Sequence, residues 1–184
     1  MNEPRVDEPC VNAPCAVVVI GVSGSGKTTV ALGLAAHYGY VFLDADDFHT
    51  AQAKAQMAAG VPLADEQREP WVDGLVRELK ALASSGRSCV LAFSGLRAAH
   101  RQRLRESGVE MRFVFLDASP VEVAARLEAR TGHFMPIALL ATQFEALELP
   151  EGESDVLRVA VRGSPDEILG RVVEMIDAPG NQLG

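Results

Sequence analysis

Two short stretches carry residue types that could do chemistry. The first is GVSGSGKT, residues 21–28, which fits G-x-x-x-x-G-K-[S/T]. Its glycines let consecutive backbone amides turn inward as an anion nest, reinforced by the N-terminus of the helix that follows. Gly21, Val22, Ser23, Gly24, Ser25 and Gly26, with Lys27, Thr28 and Thr29, then form a cradle for a nucleoside triphosphate. Lys27 would reach the β- and γ-phosphates, and the Thr28 hydroxyl would ligate Mg²⁺. The second stretch is FLDADDFHT, residues 42–50, where an apolar strand end runs into Asp44, Asp46, Asp47 and His49. If the backbone stays extended, Asp44 and Asp46 project the same way. One could face the Mg²⁺ shell. The other could accept a hydrogen bond from an acceptor hydroxyl and take its proton late in phosphoryl transfer. Asp47 reads as a helix cap or a solvated side chain.

Further candidates are scattered. Arg68, in ADEQREPW, could hold an anionic or polyhydroxylated substrate. His49 could donate to a substrate oxygen or cap a helix. Ser94, Gly95 and Arg97 stand at a strand end where small residues permit close ligand approach. Arg126 and Arg130 lie four apart in RLEARTGHFMP, so they share a helical face just before a glycine that could let a flap move. Arginines on a closing lid neutralise charge on a transferring phosphoryl group. Asp117, at another strand end, reads as structural.

The elements that must position these residues are legible as alternating apolar runs and amphipathic stretches. Strands are predicted at 15–20, 41–44, 88–95, 111–117 and 155–161. Helices are predicted at 27–38, 50–59, 66–84, 97–106, 120–130, 137–147 and 165–176, with Ser119 as an N-cap and Pro165 in a first turn. Alternation of this kind implies a doubly wound parallel sheet of five strands flanked by helices, the P-loop NTPase fold. Residues 1–14, with three prolines, read as a loose tail, 15–178 as one domain and 179–184 as a second tail.

Composition narrows the partners. Hydrophobic residues make up 48% and charged residues 23%, which suits a globular chain rather than a disordered one. A formal charge of −8 disfavours a nucleic-acid coat but leaves room for a local triphosphate site. No apolar run approaches the ~20 residues that span a bilayer, and MNEPRVDEPCVNAP lacks the pattern of a signal peptide. Three cysteines (Cys10, Cys15, Cys89) cannot all pair within one chain; this argues against a disulfide scaffold and for a reducing cytoplasm. No second Cys pair or nearby His pair completes a zinc site with Cys10 and Cys15.

A triphosphate site can serve a switch, a motor or a transferase. The Asn-Lys-x-Asp guanine reader is absent, since Asn occurs only at positions 2, 12 and 181. The Asp-Glu of a motor ATPase is absent too, because Asp117 is followed by Ala118. Transfer to a small acceptor is what the aspartate-rich second stretch favours. A module that binds ATP without turnover is the alternative from another class.

GVSGSGKTT, FLDADDFH, KAQMAAGVPLADEQREPW and GHFMPIALLATQFEALELP together resemble gluconokinases of the small P-loop type, over roughly residues 16–161. The resemblance implies the fold of nucleoside-monophosphate and shikimate kinases with a mobile lid, ATP and Mg²⁺ as cofactors, a homodimer, and transfer of the γ-phosphate to the 6-hydroxyl of D-gluconate. By the same likeness Asp44 serves the metal shell with Thr28, and Asp46 the substrate hydroxyl. Arg68 contacts the acceptor, and Arg126 or Arg130 contacts the phosphates; His49, Ser94 and Arg97, read from the residues above, complete the substrate-binding set. Lys27, Asp46 and Arg130 are then the catalytic set. One segment departs: where the family reads Cys-Ser-Ala-Leu-Lys and then Tyr-Arg-Asp, this chain has FSGLRAAHRQRLR (93–105). Arg97 keeps the charge but replaces a compact ammonium with a planar fork. The departure bears on which acid is accepted, another sugar acid or shikimate being the alternatives.

Overall fold

The computed structural model describes residues 9–10, 12–129 and 137–181. Five strands, β1 (Cys15–Ile20), β2 (Val41–Asp44), β3 (Cys89–Ala92), β4 (Glu110–Asp117) and β5 (Val156–Ala160), form one parallel sheet in the order 2-3-1-4-5. The helices are α1 (Lys27–Tyr38), α2 (Ala51–Ala58), α3 (Asp65–Ser84), α4 (Ala98–Arg105), α5 (Pro120–Ala129), α6 (Ile137–Ala146) and α7 (Pro165–Asp177). The expected fold class is the observed one.

The sequence of β1 explains the layering. All six residues of CAVVVI are buried, as a central parallel strand covered on both faces requires. Val17 and Val19 pack on one side with Val30 and Leu34 of α1 and Ile168 and Val172 of α7. Ala16, Val18 and Ile20 pack on the other with Trp71, Leu75 and Leu79 of α3 and Leu104 of α4. Serine caps start two helices: Ser119 and Glu122 bond reciprocally at α5, as do Ser164 and Glu167 at α7.

Three expectations are corrected. The third strand is shorter than 88–95, because the chain leaves the ladder after Ala92 and turns at Gly95. Gly95 has φ +56°, and a Cβ there would lie 2.6 Å from Ile20 Cγ2, so the turn needs glycine twice over. The aspartate-rich stretch does not stay extended: Ala45–Phe48 is a 3-10 turn. Cys10 and Cys15 form a disulfide, leaving buried Cys89 as the free thiol. Their Cα atoms are 5.6 Å apart, a closeness that spacing alone does not dictate. The odd cysteine count excludes complete pairing, not this one short link. Among the described residues, no helix is long and apolar enough to cross a membrane.

Candidate active site at the strand tips

The glycine loop leaves the tip of β1 and opens α1. Its first amide, Gly21 N, donates to Ser94 O beyond β3 at 3.1 Å, tying the loop to the neighbouring strand end. Gly24 has φ +80°, and a Cβ there would stand 2.9 Å from Val123 Cγ1, so α5 lies directly on the loop. Lys27 folds back over the loop and donates to Val22 O at 3.0 Å. Burial pushes the half-buried Lys27 ammonium down to about 8, against the opposing pull of the Asp46 and Asp44 carboxylates. That pull also puts both aspartates within electrostatic reach of the loop.

Thr28 Oγ1 donates to Asp44 Oδ2 at 3.4 Å. Asp44 Oδ1 accepts from Asp46 N at 3.0 Å, which caps the 3-10 turn. A hydroxyl and a carboxylate meeting here are hard oxygen donors of the kind Mg²⁺ takes alongside phosphate oxygens. Asp44 ends β2 and Thr28 follows β1, two strands that are not neighbours, since β3 lies between them. The short β3 ends level with Asp44, at Ala92, and Thr28 reaches Asp44 from the start of α1.

The turn separates the two aspartates by role. Asp44 faces Thr28, whereas the Asp46 side chain is 84% exposed, its Oδ1 4.0 Å from His49 Nε2. Asp47 is exposed, in keeping with a solvated side chain. His49 is buried and stacked on Trp71, with centroids 4.2 Å apart and planes 18° from parallel. Burial holds its imidazole below the ordinary value, with Asp46 opposing, so it is neutral near pH 7. Trp71 Nε1 donates to Ala45 O at 2.6 Å, and its ring packs on Phe93. One tryptophan of α3 therefore fixes the turn that presents Asp46.

On the far side of this turn two arginines face one carboxylate. Arg68 donates to Asp65 Oδ1 at 3.0 Å, and Arg97 Nε lies 3.5 Å from the same oxygen. Arg97 Nε is buried and, among the described residues, lacks a hydrogen-bond partner. Nearby, burial holds His100 below its ordinary value; Arg68 and Arg97 push the same way, and Asp65 opposes them. Ser94 contributes its carbonyl to Gly21. Arg126 is anchored rather than free: it donates to Ser25 O at 3.3 Å and to Val161 O at 3.1 Å, beside the loop. Arg130 and His133 lie outside the described residues, so of the expected arginine pair the structure places Arg126 alone. Asp117 accepts from Arg158 at 2.8 Å, a structural pairing.

Sequence reasoning missed four contributors. They are Asp65 and Trp71 of ADEQREPW, and Gln143 and Glu148 of TQFEALELP. Gln143 bonds the amide and the hydroxyl of Ser23, and Glu148 caps α4 by accepting from Ala98 N at 2.7 Å. The pattern TQFEALE was visible, but its contacts cross 120 residues to Ser23 and 50 to Ala98.

A parallel sheet of order 2-3-1-4-5, with a glycine loop at the central tip and a hydroxyl–carboxylate pair beside it, defines a P-loop nucleotide-binding protein of the small-kinase architecture. A family model described as an AAA domain matches residues 17–150. A gluconokinase of Gluconobacter oxydans (strain 621H) is 39% identical over 165 residues, which cover 90% of this chain and 93% of the relative. A crystal structure of a gluconokinase from Sinorhizobium meliloti 1021 superposes with a TM-score of 0.77 at 38% identity, covering 90% of this chain and 97% of that one. A sugar kinase from Janibacter sp. HTCC2649 gives a TM-score of 0.82 at 36% identity, covering 93% and 99%. The chain belongs to the gluconokinase family.

Proposed function

We propose that this chain is an ATP-dependent gluconokinase, moving the γ-phosphoryl group of ATP to the 6-hydroxyl of D-gluconate and yielding 6-phosphogluconate and ADP. The observation that carries the reading is one juxtaposition. The Thr28–Asp44 pair and Lys27 stand beside an exposed Asp46, and Arg68 and Arg97 converge on a carboxylate beyond it. That order suits a substrate with a reactive hydroxyl at one end and a carboxylate at the other. The gluconokinases of Gluconobacter oxydans and Escherichia coli, each 39% identical, support the choice of acid.

In this reading the loop amides and Lys27 orient the triphosphate, and Arg126 or Arg130 would contact its phosphates. Thr28 and Asp44 would hold Mg²⁺, which would supply positive charge to offset that of the phosphates. Asp46 accepts the hydrogen bond of the attacking hydroxyl and takes its proton as the bond to phosphorus forms. Neutral His49, held by Trp71, donates to a neighbouring hydroxyl. Arg68 and Arg97 receive the carboxylate, and Ser94 lines the wall. Little covalent chemistry is asked of the protein; orientation and charge stabilisation supply the rate. A cytoplasmic homodimer completes the proposal on the strength of the family likeness, and sedimentation checks the dimer.

A coupled assay for ADP release across gluconate, other sugar acids and shikimate tests the proposal. Turnover with gluconate above all others is expected. Turnover with a different acid alone would move the assignment to that acid, and ATP binding without turnover on any acceptor would make the chain a nucleotide sensor.

A further inference from the structure

Helix α6 and the residues after it touch both halves of the site. Gln143 Oε1 accepts from Ser23 N at 2.7 Å, and Gln143 Nε2 donates to Ser23 Oγ at 2.9 Å. One carboxamide thus bonds both the amide and the hydroxyl of a residue in the middle of the glycine loop. Five residues on, Glu148 N donates to Leu96 O at 2.8 Å, and its carboxylate accepts from Ala98 N at 2.7 Å. Those two bonds bracket Arg97. No side chain of α4 caps its own N-terminus, so Glu148 supplies that cap from elsewhere in the chain.

The two sides of Arg97 are held differently. On the Leu96 side, buried Arg101 donates to Gly95 O at 2.7 Å and to Leu96 O at 3.3 Å, and its position is set by ion pairing with Glu153. On the Ala98 side the amide is held by Glu148. Arg97 therefore sits between a point that Arg101 holds in addition to Glu148 and one held by the Glu148 carboxylate, its guanidinium kept against Asp65.

We propose that Gln143 and Glu148 form a strut that makes acceptor affinity depend on nucleotide occupancy. A phosphate oxygen is a charged acceptor, and it competes with a neutral carboxamide for the Ser23 amide. When a triphosphate fills the cradle, Gln143 yields Ser23, α6 shifts with it, and Glu148 relaxes its hold on Ala98. Arg97 is then free to leave Asp65 for the acceptor's carboxylate. Both residues are positioning residues: neither touches a reacting atom. This deepens the proposed function and rests on its assignment of Arg97 to the acceptor.

The test uses the full chain with and without a non-hydrolysable ATP analogue and Mg²⁺. Calorimetry reads gluconate affinity, and hydrogen exchange reads the amides of residues 94–100. The intact chain should bind gluconate about tenfold tighter with the analogue present, within the usual range of coupling between sites. Exchange at Ala98 should quicken at the same time. Gln143→Ala and Glu148→Ala should each bring the affinity ratio close to one, with Ala98 exchanging fast in both states. Glu148→Gln, whose amide oxygen can accept from the same N–H, should keep the coupling. An intact chain with a ratio near one and no change at Ala98 would overturn the strut, as would full coupling in Gln143→Ala. If gluconate binds in neither state while Ala98 still answers the analogue through Gln143, the strut stands and the choice of acceptor falls.

Discussion

The phosphate cradle and the proposed acceptor wall are built on opposite plans. The cradle is one run of eight residues, 21–28, in which backbone amides, a lysine and a hydroxyl come in fixed order from a strand to a helix. The wall is gathered from three places: the turn at 45–49, the first turns of α3 at Asp65, Arg68 and Trp71, and the chain beyond β3 at 93–100. A locally built site tolerates drift in its surroundings, because its geometry travels with it. An assembled site depends on each packed contact, and that is where a change of acceptor can arise without loss of the transfer chemistry.

The comparison breaks most visibly at Lys27. Lys27→Ala should lower kcat/KM for ATP by ~10³-fold, the upper range for removing one charge-stabilising donor. Near-normal steady-state rates would remove the cradle from the mechanism. Next is Asp46→Asn, which should cost ~10²-fold in kcat with little change in the apparent affinity for ATP. An effect confined to ATP affinity would move Asp46 to the nucleotide side.

The third effect is a pH profile. Because Lys27 is depressed to about 8 in the free protein, its cation is lost as pH rises through that value. Then kcat/KM for ATP, which reports the free enzyme, should fall about tenfold per pH unit above it. Lys27→Arg, which stays charged, should remove that fall; an alkaline limb that persists in the arginine variant would belong to another group.

Arg97→Ala should raise KM for gluconate about tenfold, the scale of one charged hydrogen bond, while KM for ATP stays within twofold or so. Equal changes in both constants would deny the division into cradle and wall. The smallest effect is expected at Trp71→Phe, which keeps a ring against His49 and Phe93 but loses the bond to Ala45 O. About 1 kcal/mol of stability should go, as chemical denaturation would read it, with a several-fold fall in kcat if the turn then holds Asp46 less firmly.

Much of the fold was legible because its signals are short-ranged. The β-branched run Cys15–Ile20, the caps at Ser119 and Ser164, and the G-x-x-x-x-G-K-T order between a strand and a helix each state their structure within a few residues. The aspartate pair was read with the wrong local backbone. The alternation rule assumes an extended chain, and here Asp44 accepts from Asp46 N and curls the chain instead. The Cys10–Cys15 link was missed because cysteine spacing does not report Cα separation.

The sequence by itself determined the nucleotide side of this protein: the glycine loop, its lysine, the threonine hydroxyl after it and the order of strands and helices that present them. Backbone geometry and side-chain order along one segment suffice for that. Tertiary structure alone decided that Arg68 and Arg97 share Asp65, that Trp71 holds the turn beneath Asp46, and that Gln143 and Glu148 join the two halves. Those contacts close across long stretches of chain, so they exist only once the sheet has set its strand order and the helices have packed on its two faces.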